Sequence, residues 1–167
     1  MKKLFLDIET APSVVYVWGL FNQNVQLNQI VEPGYTLCWA AKWEHGKEIM
    51  FSSIQDGKEK MVREIYDLLE EADVLVHYNG RKFDIPILNA EFVKLGLDPP
   101  SSYRHIDLLK TARSNFRFTS NKLDFVAQHL GVGGKVQCFL CEVLENSCAY
   151  ILFSHNPLIK KSLYRFR

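Results

Sequence analysis

The chain has 167 residues, of which 47% are hydrophobic and 23% are charged, a length and a composition that fit one ordinary globular domain. Its net charge of +1 excludes a global basic field, so a nucleic-acid partner would have to be held by a local site. The apolar runs are far shorter than the ~20 residues of a membrane span, and Asp7 and Glu9 interrupt the N-terminal run, unlike a signal peptide. Four cysteines, mostly late in the chain, do not resemble a secreted disulfide framework. We therefore expect a cytoplasmic protein with no membrane partner.

The first third of the chain predicts strands. The apolar run 3–8 predicts a buried strand. Residues 11–34, rich in Asn, Gln, Pro and Gly, predict a loop or irregular structure with little period. Residues 35–43 and 48–54 then predict two strands joined by a turn, which together form a hairpin.

After residue 56 the hydrophobic period becomes helical. Met61, Ile65, Leu68 and Leu69 lie on one face of a predicted helix. The elements predicted after it are, in order, a buried strand at 73–78, a helix at 84–95 that Gly96 ends, a strand at 104–109 and a helix at 121–130. This order predicts an α/β domain in which an antiparallel hairpin joins parallel units.

Two carboxylates project together from the first predicted strand. Asp7 and Glu9 are two residues apart, so their side chains point to the same face. If that strand is central, such a pair calls for compensation, and oxygen-preferring cations such as Mg²⁺ or Mn²⁺ would supply it. The alternative is that both residues simply end the strand and face water.

A second acidic site follows the strand at 73–78. The turn signal Asn79-Gly80 leads to Asp84 at the head of the next helix. Asp84 could be an ordinary N-cap. However, ligands of α/β sheets gather outside the carboxyl ends of the strands, where Glu9 and Asn79 are also predicted to lie.

These segments resemble a known family. Residues 5–10, Phe-Leu-Asp-Ile-Glu-Thr, resemble the first exonuclease motif of DnaQ-like (DEDD) 3′–5′ exonucleases, and residues 77–88 resemble the second, in the form found in proofreading and phage-type enzymes. The resemblance covers roughly residues 3–135. It implies a ribonuclease H-like α/β fold with a mixed sheet of about five strands and flanking helices. We accordingly divide the chain into an exonuclease-like domain, 1–135, and an atypical tail, 136–167.

The resemblance also implies an active site. Asp7, Glu9 and Asp84 would bind two divalent cations, Mg²⁺ or Mn²⁺, that hold the scissile phosphate and activate the attacking water. By the same resemblance, Thr10 and the Ile8 backbone would contact the terminal nucleotide, and Phe83 or Asn79 would help to shape the nucleotide pocket.

The family's third motif is missing from the sequence. In the family, this motif supplies a fourth aspartate. A Tyr or His that orients the water stands about four or five residues before that aspartate. The last aspartate in this sequence is Asp124. Asp107 is a substitute candidate, either as a catalytic residue or as an accessory acid. The tail after Lys135 could be an interruption of a longer exonuclease, by a frameshift or read-through, or a divergent ending. Either origin predicts impaired activity for this chain alone.

Weaker patterns leave alternatives open. The basic and aromatic segment 113–122 could bind a single strand through Arg117 and Asn121, or be a packed loop before a helix capped by Ser120 or Asn121. The late cysteines with His155 could form a zinc site or be incidental. Trp18, Trp39 and Trp43 are expected in the core.

The expected function is metal-dependent hydrolysis of nucleotides from the 3′ end of single-stranded DNA, in replication or proofreading and with a DNA polymerase as a partner. RNA is the alternative substrate. A module that binds nucleic acid or a polymerase without cutting is the alternative of another class.

Overall fold

The structure is a computed structural model that describes residues 1–133. The predictions for the tail, including the zinc alternative and any third motif, lie outside these described residues. Seven strands make up the sheets of the described part: β1 Lys3–Thr10, β2 Val14–Val15, β3 Ile30–Glu32, β4 Thr36–Trp43, β5 Met50–Ser53, β6 Val74–His77 and β7 Arg104–Asp107. Its α-helices are α1 Lys58–Glu71, α2 Asp84–Lys94, α3 Leu108–Asn115 and α4 Leu123–His129.

The main sheet is mixed and five-stranded, in the order β5-β4-β1-β6-β7. β1 lies at its centre, antiparallel to β4 and parallel to β6, while β7 extends the parallel half and β5 the antiparallel half. The predicted hairpin and parallel units are confirmed. This topology places the acid-bearing end of β1 beside the ends of β6 and β7, where the chain turns into α2 and α3.

The two faces of β1 have different neighbours. Leu4, Leu6 and Ile8 belong to the larger core cluster, which α1 and α2 cover, whereas Phe5 packs with residues of β6 and β7 in a smaller cluster. Asp7 and Glu9 share the face of Phe5 because side chains alternate along a strand. They are therefore carried by a strand that the core fixes from both sides.

The helix that covers this core follows the predicted pattern. Met61, Ile65 and Leu69 of α1 are fully buried, and Leu68 is partly buried beside them. Each fully buried side chain of this kind stabilises the fold by about 1.5–3 kcal/mol. α2 ends as predicted before Gly96, whose φ of 68° suits glycine.

Three local expectations are wrong. The segment 11–34 is not all loop, since β2 and β3 pair within it and a 3-10 helix spans Leu27–Gln29. The strand predicted at 104–109 ends at Asp107, because the Asp107 side chain accepts a hydrogen bond from the backbone N–H of Leu109 and starts α3. Trp18 is 98% exposed, while Trp39 is buried and Trp43 packs partly buried as expected.

The expected cap of α4 is also wrong. The helix begins after Lys122, which makes no side-chain cap. The Ser120 hydroxyl instead accepts from the backbone N–H of Lys122, and the Asn121 backbone carbonyl accepts from Tyr78. Both hydrogen bonds are made by residues that precede α4, and neither caps the helix. Among the described residues, no helix is long and apolar enough to cross a membrane.

Candidate active site

A hydrogen bond joins the two acidic segments. The β1–β6 ladder ends at Phe5 and Val76, so the part of β1 beyond it has no β6 partner. The backbone N–H of Ile8 donates instead to Oδ1 of Asp84, at 3.2 Å. The Asp84 carboxylate thus lies against the backbone between Asp7 and Glu9, although 76 positions separate it from Ile8 in the sequence.

Asp84 is a buried carboxylate in an acidic environment. Its residue is only 5% exposed, and it is the first residue of α2, with Phe83 at the N-cap position and no side-chain cap. The N-cap alternative for Asp84 is therefore not what the structure shows. Burial raises the pKa of Asp84, and the charges of Glu9 and Asp107 raise it further, against the lowering effect of backbone hydrogen bonds.

The negative charges of Asp7 and Glu9 act on the thiol of Cys38 on the neighbouring strand β4. Cys38 is the register partner of Glu9. Burial, followed by the charges of Glu9 and Asp7, raises the pKa of the Cys38 thiol to about 11. A thiol with this pKa stays protonated near neutral pH, and Cys38 is buried in the core. Asp7 and Glu9 are themselves partly buried at this edge of the sheet.

The turn between β6 and α2 is built around Gly80. Its N–H donates to His77 Nδ1 at 2.9 Å, and its carbonyl accepts from the N–H of Ile85 at 2.9 Å. A Cβ on Gly80 would lie 2.8 Å from the His77 side chain and 3.0 Å from Asp84 Oδ2. Asn79 before it has a φ of 66°, which Asn tolerates better than most residues. The Asn-Gly signal therefore marks the turn that sets the position of Asp84.

Asp107 holds the same turn from the next strand. Its Oδ1 accepts from the N–H of Asn79 and from the N–H of Leu109, both at 3.0 Å. One oxygen thus fastens the turn that precedes α2 and caps α3. These bonds make Asp107 a support of the site, and a direct catalytic role for it stays a prediction.

Two histidines form a support that the sequence did not reveal. His77 Nε2 lies 3.0 Å from His105 Nδ1. Because His77 Nδ1 accepts from Gly80, the proton of neutral His77 must be on Nε2, which donates to His105. Burial lowers the pKa of His77 to about 4, and burial also lowers the pKa of His105. The available signal was a histidine at the end of a buried strand, two residues before the Asn79-Gly80 turn.

The residues predicted to contact the substrate can be placed relative to the acid-bearing end of β1. Ile8 and Thr10 lie on the acid-bearing end of β1, and Phe83 is 48% exposed beside Asp84. The Tyr78 hydroxyl donates to the Asn121 carbonyl at 2.7 Å, which ties the 113–122 segment to the end of β6. Arg117 is exposed on that segment, where the rings of Phe116 and Phe118 stack at 5.0 Å.

The acidic side chains at this site carry the oxygen atoms that hard divalent cations prefer as ligands. Within residues 1–133, no three His, Cys, Asp or Glu side chains are grouped closely enough to hold a metal ion. Glu9 and Asp107, whose charges act on Asp84, nevertheless offer carboxylate oxygens, the ligands that Mg²⁺ and Mn²⁺ prefer. The raised pKa of Asp84 shows that burial and the neighbouring acids disfavour its negative charge, and a divalent cation would offset that cost.

Comparisons with known proteins agree with this architecture. The RNase_H_2 family model, described as RNase_H superfamily, matches residues 4–137. A DNA polymerase of Methanocaldococcus jannaschii is 26% identical over 106 residues, covering 58% of this chain and 6% of the polymerase. The solved family B DNA polymerase of Pyrobaculum calidifontis shares the fold at 20% identity with a TM-score of 0.56, covering 99% of this chain and 22% of that one. This chain therefore spans only a small part of the length of these polymerases.

Proposed function

Because this chain belongs to the RNase_H superfamily, whose nucleases generally use divalent metals, we propose that it is a DnaQ-like, metal-dependent 3′–5′ exonuclease acting on single-stranded DNA. The observation that carries the proposal is the hydrogen bond from Ile8 N–H to Asp84 Oδ1. It brings the carboxylate of the second motif to the Asp7–Glu9 segment of the first.

In this proposal, different residues of the chain have separate roles. Asp7, Glu9 and Asp84 would hold two ions, Mg²⁺ or Mn²⁺, which when bound supply a clamp on the scissile phosphate and an acidified water. The Ile8 N–H fixes the orientation of the Asp84 carboxylate. The exposed ring of Phe83 offers a surface against which the terminal base can pack.

DNA is the substrate we favour. The two proteins matched above are DNA polymerases by name, which supports a role in replication or proofreading and a polymerase as partner. A cytoplasmic location stays a prediction. RNA is the alternative substrate, since nothing at the site described so far separates the two sugars.

One observation favours a second candidate, a module that binds nucleic acid without cutting it. Within these 167 residues no aspartate follows Asp124, so these residues do not supply the fourth aspartate of the DnaQ-like family. We therefore expect weak hydrolysis by this chain alone.

Single-stranded DNA labelled at its 5′ end tests the proposal. With Mg²⁺ or Mn²⁺ the chain should shorten the strand one nucleotide at a time from the 3′ end, and EDTA should stop it. Asp84→Asn and Asp7→Asn should each lower the rate by at least about 100-fold, as expected when a transition-state charge loses its stabilisation. The matched control is Asp67→Asn, at an exposed acid of α1, which should cut like the parent.

Two results would contradict the proposal. Hydrolysis that Asp84→Asn leaves unchanged would place the nuclease elsewhere or in a contaminant. Tight binding of the strand by the parent with no metal-dependent release would identify the chain as the non-cutting module. The same assay on an RNA strand decides between the two sugars.

A further inference from the structure

The surface of the described residues has one concentration of exposed apolar side chains. Nine of the fourteen large hydrophobic residues exposed in the described part of the chain lie between Val14 and Val31, a segment that we call the apolar arm. Trp18 is 98% exposed, Phe21 82% and Tyr16 74%. Large apolar surface of this kind usually marks a binding site.

The arm has a hydrogen-bonded frame. β2 and β3 pair at its base, and Tyr16 and Gln29 bond twice: the Tyr16 N–H donates to the Gln29 carbonyl at 2.9 Å, and Gln29 Nε2 donates to the Tyr16 carbonyl at 2.8 Å. The Gln29 side-chain oxygen also accepts from the N–H of Gln26 at 2.8 Å. The exposed rings are therefore carried by an organised backbone.

The root of the arm adjoins the proposed active site. It leaves the sheet directly after Thr10, the last residue of β1, and is fastened by the Ala11 N–H to the Tyr35 carbonyl at 2.8 Å. An extended chain covers at most about 3.6 Å per residue, so the Cα atom of Tyr16 lies within about 25 Å of that of Glu9. A strand whose 3′ end reached the carboxylates could extend over the arm within a few nucleotides.

The chemistry of the arm fits bases and not phosphates. Residues 11–31 contain no charged side chain, so the arm has no cation for a phosphate and no carboxylate to repel one. It has three exposed rings, which can stack on any base, and six Asn or Gln residues, which can donate to and accept from base edges. Its continuity with the proposed site favours nucleic acid over a protein partner.

We propose that the apolar arm is a stacking platform for the bases of the single-stranded substrate next to its 3′ end. This inference rests on the proposed function, because it assigns the arm to the same substrate. Trp18 and Phe21 are the principal contacts, and they supply affinity without reading sequence.

Binding of a short fluorescent oligothymidylate to the full chain in EDTA tests this inference separately from hydrolysis. Trp18→Ala and Phe21→Ala should each weaken binding about tenfold, the lower part of the range for loss of one stacked base. Trp18→Phe should retain most of the affinity, because a ring is still present. Phe51→Ala, at an exposed aromatic residue on the edge strand β5, is the matched control and should bind like the parent.

The salt dependence of binding sharpens the test. Because the arm has no cation, the arm variants should show the parent's slope of affinity against salt concentration. The melting temperatures of Trp18→Ala and Phe21→Ala should equal the parent's, since both side chains are exposed.

Unchanged affinity in Trp18→Ala and Phe21→Ala would overturn the inference, as would a reduced salt slope, which would indicate phosphate contact. A shift in oligomeric state with DNA binding intact would show a protein interface and also overturn it. If the parent binds through the arm but never releases nucleotides with metal, only the proposed exonuclease function fails.

Discussion

At the scale of single residues, the negative charge of Asp84 is unfavourable in the metal-free folded protein. Its carboxyl is buried, and burial with the charges of Glu9 and Asp107 raises its pKa. A carboxyl whose folded pKa exceeds its unfolded value binds more protons in the folded state, so stability falls as pH rises from 3.8 through the folded pKa. Above that range the ionised group destabilises the metal-free fold.

Asp84→Asn should therefore stabilise the metal-free protein while abolishing activity. Asparagine keeps an oxygen to accept from Ile8 but carries no charge. At neutral pH in EDTA we expect a melting temperature higher by about 2–4 °C, which corresponds to about 1 kcal/mol for a chain of this size. Thermal unfolding measures it, with Asp67→Asn as the control that should not shift.

Metal provides the second half of this test. Mg²⁺ or Mn²⁺ bound to the folded state should raise the melting temperature of the parent with increasing concentration, and should raise that of Asp84→Asn far less. A lower melting temperature of Asp84→Asn in EDTA would contradict the idea that the charge is unfavourable in the folded protein.

At the scale of elements, the turn between β6 and α2 depends on a neutral histidine. His77 Nδ1 accepts from Gly80, and protonation would put a second donor in place of that acceptor. Burial is the main cause that lowers the pKa of His77 to about 4; Asp107 raises it, while His105, Lys110 and Arg81 lower it. The turn that positions Asp84 is thus sensitive to acid.

Stability should consequently fall between pH 6.5 and pH 4. The unfolded chain binds a proton at His77 with a pKa near 6.5 and the folded chain only at about 4, so the unfolded state binds more protons across this window. The full loss is about 3 kcal/mol, partly offset at the acid end by Asp84, whose raised pKa acts in the opposite direction. Urea unfolding at a series of pH values measures it.

His77→Asn should reduce this pH dependence and leave the part that comes from the lowered pKa of His105, whereas His45→Asn, at a histidine whose side chain is 94% exposed, should keep it. Equal slopes in the parent and His77→Asn would show that His77 does not contribute to the acid sensitivity.

The elements themselves were predictable where the hydrophobic period was strong. The spacing of Met61, Ile65 and Leu69 gave α1, and the apolar run before Asp7 gave the central strand. α3 was missed because its start depends on the Asp107 side chain, which also reaches Asn79 on another turn. Such a contact between distant segments leaves no local pattern.

The site could be predicted only in part for the same reason. The motifs named Asp7, Glu9 and Asp84, but the Ile8 bond that joins them and the His77–His105 pair are contacts of the folded chain. The exposure of Trp18 was also unpredictable, because composition alone favours burial of tryptophan and does not show that its segment leaves the core.

At the scale of the whole molecule, the charges nearly cancel. Twenty basic and nineteen acidic residues give a net charge of +1, so long-range attraction of nucleic acid is weak. Under the proposed function, local cations should then supply the phosphate contacts. The segment 113–122, tied to β6 through Tyr78, carries three exposed ones: Arg113, Arg117 and Lys122.

Arg117→Ala should therefore weaken oligothymidylate binding at low salt and make it less dependent on salt. Loss of one phosphate contact on a single strand lowers the slope of log affinity against log salt concentration by about 0.7. Arg63→Ala, which removes an exposed cation of α1 paired with Glu59, is the control and should keep the parent's slope. Fluorescence anisotropy over a range of salt concentrations measures both.

An unchanged slope in Arg117→Ala would contradict a phosphate contact by Arg117. A reduced slope in Arg117→Ala, with an unchanged slope in Trp18→Ala, would separate phosphate contacts of the segment 113–122 from base contacts of the apolar arm.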